Sequence, residues 1–145
     1  MRILYLVPYT PNLIRVRPYN LIRALSAQGH QVSLMTLWTG PGEKTSAASL
    51  EAELAQFRTY PLPRWRSLLN CLAALPTNQP LQAWYCWQPD LAHDLISLTD
   101  HQAAEHFDII HVEHLRGVKF ALHLRNYWQQ RNGRAGATPP IVWDS

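Results

Sequence analysis

At 145 residues, with 47% hydrophobic and 16% charged side chains, the chain has the length and composition of one folded domain with a core of its own, which excludes a disordered segment. Cys71 and Cys86 share no close spacing with each other or with the histidines, so neither a disulfide framework nor a zinc site is expected, and a reducing compartment is the default. The net charge of +3 rests on eleven arginines and two lysines, a bias suited to phosphate or carboxylate recognition, without the lysine-rich stripe expected of a nucleic-acid binder.

The run Ile3 to Val7, closed by Pro8, is too short for a secretion signal and reads as a buried strand of a parallel sheet. After the loop from Pro8 to Asn12, residues Pro18, Leu21, Ile22 and Leu25 fall on one helical face. Proline is tolerated only in a first turn, so this helix should begin near Val16 or Arg17, and Gly29 stands where a glycine would close it. Val32 to Leu37 is the next strand, which completes a βαβ unit. Trp38 to Thr45, with Gly40-Pro41-Gly42 inside it, reads as loop, and Ser46 to Gln56 has helix composition.

Phe57 to Tyr60 is a short strand stopped by Pro61 and Pro63, after which Leu68, Leu69, Leu72 and Leu75 repeat at helical spacing. Taken alone, that helix covers the sheet and puts its leucines in the core. Its head, Arg64-Trp65-Arg66, is also what an interfacial helix presents to anionic lipid. Trp84, Tyr85 and Trp87 read as packing anchors before sugar-stacking rings. Leu91, Leu95 and Leu98 mark a further helix, Asp108 to Val112 a fourth strand, and Val118, Ala121, Leu122 and Arg125 a helix ending near Arg131. A loop from Asn132 to Gly136 leads to a fifth strand, Pro140 to Asp144.

Strands alternating with helices specify an α/β fold: a Rossmann-like, doubly wound and mostly parallel sheet of about five strands in the order 3-2-1-4-5, with helices on both faces. Ligands of such sheets bind beyond the carboxyl ends of the strands. Because the chain stops one residue after its last strand, a truncated larger protein is expected. No window approaches the roughly 18 apolar residues of a membrane span.

Several segments together resemble the N-terminal domain of family-4-type glycosyltransferases of the GT-B fold. They are Met1-Arg-Ile-Leu-Tyr-Leu-Val-Pro-Tyr, Arg15-Val-Arg-Pro-Tyr-Asn-Leu-Ile-Arg-Ala-Leu, Gln28-Gly-His-Gln-Val-Ser-Leu and Phe107-Asp-Ile-Ile-His-Val-Glu-His. The Arg15-x-Arg17 entry and the Pro-Leu-Pro-Arg-Trp segment resemble a subgroup associated with exopolysaccharide and other cell-surface glycan synthesis. The resemblance implies that residues 1–145 are the acceptor-side domain, with the donor-binding C-terminal domain absent from this chain. It further implies retaining transfer of a sugar from a nucleotide-sugar to a glycan or lipid-linked acceptor, with no metal or other cofactor. The fragment alone is expected to be inactive, and the protein cytoplasmic, either free or in peripheral contact with the inner face of the membrane near Arg64, Trp65 and Arg66. Many relatives carry paired glycines in the first loop, and the segment Tyr9 to Arg17 has none.

Candidate site residues are set by position at the carboxyl edge. Thr10, Asn12, Arg15 and Arg17 line the entry to the first helix, where Thr10 and Asn12 are also turn formers and the arginines suit anionic groups. Glu113 and His114 come directly after the fourth strand and are the candidate catalytic pair, able to orient an acceptor hydroxyl or take its proton. Asp144 ends the fifth strand, either as a cleft residue or as the cap of a missing helix. His111 reads as a buried strand histidine, and Asp108 lies at the opposite end of the sheet. The alternative function is a non-catalytic Rossmann-like module that binds a glycan or a partner. A receiver domain would need acidic residues at its first strand ends, and a dinucleotide enzyme would need Gly-x-Gly-x-x-Gly after the first strand; neither pattern is present.

Overall fold

In the computed structural model, which describes residues 1–12, 16–48, 50–100, 106–131 and 138–144, five strands form one parallel sheet in the order β3-β2-β1-β4-β5. They are β1 (Arg2–Val7), β2 (Gln31–Trp38), β3 (Gln56–Pro61), β4 (Ile109–Glu113) and β5 (Ile141–Asp144). Among the described residues the helices are α1 (Val16–Ala27), α2 (Pro41–Ala48), α3 (Arg64–Ala74), α4 (Leu81–Tyr85), α5 (Pro89–Thr99) and α6 (His114–Arg131), with a 3-10 turn at Glu51–Glu53. The fold is the expected Rossmann-like α/β sheet. Among the described residues, no helix is long and apolar enough to cross a membrane.

β1 is central, so both its faces are buried, which is why its sequence is a continuous apolar run. Leu4 and Leu6 join a core with Met35, Leu37, Ile110 and Val112 beneath α5 and α6, whereas Tyr5 and Val7 join Ile22, Val32, Leu34 and Leu50 beneath α1. β5 lies at the sheet edge and leaves Val142 and Trp143, on its opposite faces, exposed.

α1 ends as its sequence implies. Gly29 adopts φ +81°, and the amides of Gly29 and His30 bond back to the carbonyls of Ser26 and Leu25 at 3.0 and 3.1 Å, the paired closure that requires a left-handed residue. The next segment departs from expectation. Gly40-Pro41-Gly42 does not break structure but starts α2, because proline at a first helical position gives up no needed amide. Glu43 secures that start by accepting from the Thr39 amide and hydroxyl at 2.8 and 2.7 Å. The helix expected over Ser46 to Gln56 is thereby shifted toward the N-terminus, and β3 begins at Gln56.

α3 is inverted relative to expectation. Its inward side carries the small and polar residues Ser67, Asn70, Cys71 and Ala74; Ser67 and Ala74 are buried, and the Asn70 amide donates to the Trp87 carbonyl at 2.8 Å. Its leucines are outside the core. α6 lies across the sheet with Gly117, Phe120, Ala121, Leu124 and Trp128 inward, while Leu122 is exposed. Trp87 stacks on Phe120 with centroids 5.1 Å apart, and the Lys119 ammonium lies over Trp84 and Trp87. These rings therefore anchor α4 and its flank to α6, and burial brings the Lys119 amine down to about 8.

Candidate functional site

The order of the sheet reverses between β1 and β4, so the loop after β1 and the start of α6 flank the crevice where doubly wound folds bind ligands. The β1 loop is held shut from two sides. The Thr10 hydroxyl donates to the Leu37 carbonyl at 2.9 Å and the Thr36 hydroxyl to the Tyr9 carbonyl at 2.7 Å, while the Cys86 thiol meets the Pro8 carbonyl at 3.4 Å. Thr10 is completely buried, so here it anchors the loop, and reaching a ligand would require the loop to open. Asn12 is half-buried, and Arg15 lies outside the described residues.

A polar cluster spans three strand ends on the α1 face. The Tyr5 hydroxyl donates to Glu113 Oε2 at 2.8 Å, with both side chains buried. The His111 ring stacks on Tyr5 with centroids 4.5 Å apart, and its Nε2 lies 3.6 Å from Glu113 Oε2, too far for a hydrogen bond. Parallel pairing of β4 with β5 brings Glu113 opposite Asp144. Arg17, in the first turn of α1, closes the cluster by pairing with the Asp144 carboxylate. Arg17 and Asp144 are the solvent-reaching members, and Glu113, 3% exposed, sits beneath them. The sheet thus gathers Glu113, Arg17 and Asp144, three of the residues singled out from the sequence, and ties them to Tyr5 and His111. Asp108 stays at the other end, bonded to the Arg2 amide at 2.7 Å.

Burial, then the Glu113 contact, raises the Tyr5 hydroxyl well above its ordinary range. Burial lowers His111 below the usual imidazole value, and the pull of Glu113 and Asp144 does not reverse it. A histidine with a depressed native pKa removes stability as pH falls below its unfolded value of roughly 6.5, because the unfolded chain then binds the proton more readily. Thermal melts from pH 7 down to pH 5 should therefore show a loss of stability that is smaller in His111→Phe; parallel slopes for the two proteins would contradict this assignment.

His114 stands at the junction of β4 and α6 with φ 65°, a left-handed conformation that non-glycine residues adopt at a cost, and such positions concentrate at functional sites. Three contacts hold it. Its Nδ1 accepts from the Arg116 amide at 3.3 Å, its carbonyl accepts from the Trp143 indole at 3.2 Å, and its ring meets Tyr9 edge-on at 6.2 Å.

On the other side of the β1 loop is a cavity of about 250 Å³ whose lining includes Pro8, Tyr9, Leu37, Leu62, Arg64 and Arg116. Its two arginines come from the starts of α3 and α6, and Arg116 also stacks its guanidinium on Tyr85 at 5.4 Å. Sequence reasoning leaves Arg116 out; its place two residues beyond His114, at the same sheet edge, is the signal that points to it. A shallower depression between Arg23 and Glu53 is bordered by their ion pair and lies away from this edge.

His111, Glu113 and Asp144 bring one potential ligand atom each within 4.8 Å of one another. The charge a cation would bring is already supplied by the Arg17 guanidinium on Asp144, so a metal would have to displace it. Carboxylate and imidazole acceptors sit beside a guanidinium donor, all at the mouth of a parallel sheet. No family model matches the chain, and no match to a curated protein or to a solved structure was found.

Proposed function

We propose that this chain is the acceptor-side domain of a retaining family-4-type glycosyltransferase, acting on the cytoplasmic side on a glycan or lipid-linked acceptor, with the nucleotide-sugar held mainly by a second domain. The observation that carries the reading is the convergence of Arg17, Asp144 and His114 on the carboxyl edge, above the buried Tyr5–Glu113 pair. In this reading Arg17 and Asp144 bind acceptor hydroxyl or phosphate groups. His114 lies nearest the reacting hydroxyl, and Glu113 is a positioning residue that fixes Tyr5 and the β4 end from below. Catalysis then consists of orientation and charge stabilisation in a cleft closed by the second domain.

The reading predicts a native polypeptide more than twice the 16.7 kDa of this chain, measured by mass spectrometry on protein taken from its source. A native species of 16.7 kDa would contradict it. It would favour the second reading, a glycan- or partner-binding module, which the Arg64–Arg116 cavity supports because this chain forms it unaided. Within the transferase reading, Arg17→Ala should weaken an anionic acceptor by roughly 3–30-fold, the range for losing one charge-assisted contact at a partly solvated site. Titration calorimetry with a phosphorylated glycan checks this, and unchanged affinity would remove Arg17 from the site.

A further inference from the structure

We infer that α3 is an interfacial helix that seats this domain on an anionic lipid surface. The inference does not depend on the transfer chemistry. Trp65, Leu68, Leu69, Leu72 and Leu75 are 61, 63, 54, 53 and 66% exposed, and their spacing places them on one side of the helix. That side faces away from the molecule, because Ser67, Asn70 and Ala74 make the inward contacts. A helix whose small and polar residues face its own protein, and whose leucines face out, is built for an external apolar phase. Leu81, exposed on the neighbouring α4, adds to that apolar surface.

Charge selects the occupant. Arg64 and Arg66 flank the leucine stripe, and the chain carries no carboxylate between Glu53 and Asp90. A surface with arginines, an exposed tryptophan and a leucine face, on a segment with no acid of its own, matches lipid headgroups over acyl chains; Glu43, which lines the cavity together with Arg64, is held by the Thr39 amide and hydroxyl. Tyr85, partly exposed beside α3, adds an amphipathic ring at the same level. Arg64 also lines the cavity at the carboxyl edge, so a domain seated through α3 holds that cavity next to the bilayer.

The test is co-sedimentation of the native polypeptide with vesicles of phosphatidylcholine alone or mixed with phosphatidylglycerol. Binding should be roughly 10–30-fold tighter to the anionic vesicles, from two arginines near the surface, and should weaken with salt. Leu68→Ser/Leu72→Ser should abolish binding to both while leaving the melting temperature unchanged, because these side chains are not part of the core. Arg64→Gln/Arg66→Gln should remove only the preference for anionic lipid. Three results overturn the inference: equal binding to both vesicles, no vesicle binding with a concentration-dependent dimer that the leucine variant loses, or a leucine variant that melts lower because another segment of the polypeptide covers the helix.

Discussion

Tyr5→Phe is expected to destabilise the protein by about 1.5–3 kcal/mol, the range for a hydrogen bond to a charged group. The hydroxyl it deletes donates to a carboxylate that is 3% exposed, so the loss leaves Glu113 buried without that donor. The penalty comes from the stranded acceptor more than from the lost bond. Replacing both partners, as Tyr5→Phe/Glu113→Leu, should therefore recover most of the loss, although His111 loses its charged neighbour. Urea unfolding of the four proteins of this cycle measures the coupling. A double variant whose loss equals or exceeds the sum of the two single losses would mean that Glu113 is held mainly by other groups.

The second large effect is expected at Gly117. α6 crosses so close to the sheet that a Cβ at this position would lie 2.7 Å from Val112 Cγ1 and 3.4 Å from Leu6 Cδ2. Val112 is fully buried in β4, and its branched side chain has little rotamer freedom with which to yield. Gly117→Ala should cost about 1–3 kcal/mol, as overpacking typically does, lowering the melting temperature by roughly 2–4 °C for each kcal/mol. Val112→Ala in the same chain should return part of that loss. Since His114 lies three residues upstream on α6, the displacement should also disturb the site, and acceptor affinity should fall with stability. A Gly117→Ala protein that melts with the wild type would show that α6 can lift off the sheet without cost.

The parallel sheet is legible in the sequence because its strands are apolar runs between punctuating prolines and glycines. Ile3 to Val7 and Val32 to Leu37 carry that pattern, and Gly29 closes α1 as expected. Two segments mislead for identifiable reasons. Gly40-Pro41-Gly42 looks like a break, but proline suits a first helical turn, and Glu43, three residues past Gly40, caps it. The leucines of α3 look like a core face because periodicity reports that a face exists and not which way it points; only the packing of Asn70 and Ser67 reveals the inversion. Position at the strand ends and at the start of α1 is enough to place Glu113, Asp144 and Arg17 on the carboxyl edge. Their pairing across strands, the burial of Glu113 and the left-handed backbone of His114 are tertiary properties that no spacing encodes.

The most direct measurement is a transfer assay on the native polypeptide, with labelled nucleotide-sugars supplied as a panel and lipid and glycan fractions from the source as acceptors. Label should move to an acceptor in the wild type, and Arg17→Ala and Asp144→Asn should raise the KM for that acceptor while leaving that for the donor unchanged. If no nucleotide-sugar in the panel is consumed, or if both variants transfer as the wild type does, the assignment of the carboxyl edge as the acceptor site of a glycosyltransferase is contradicted.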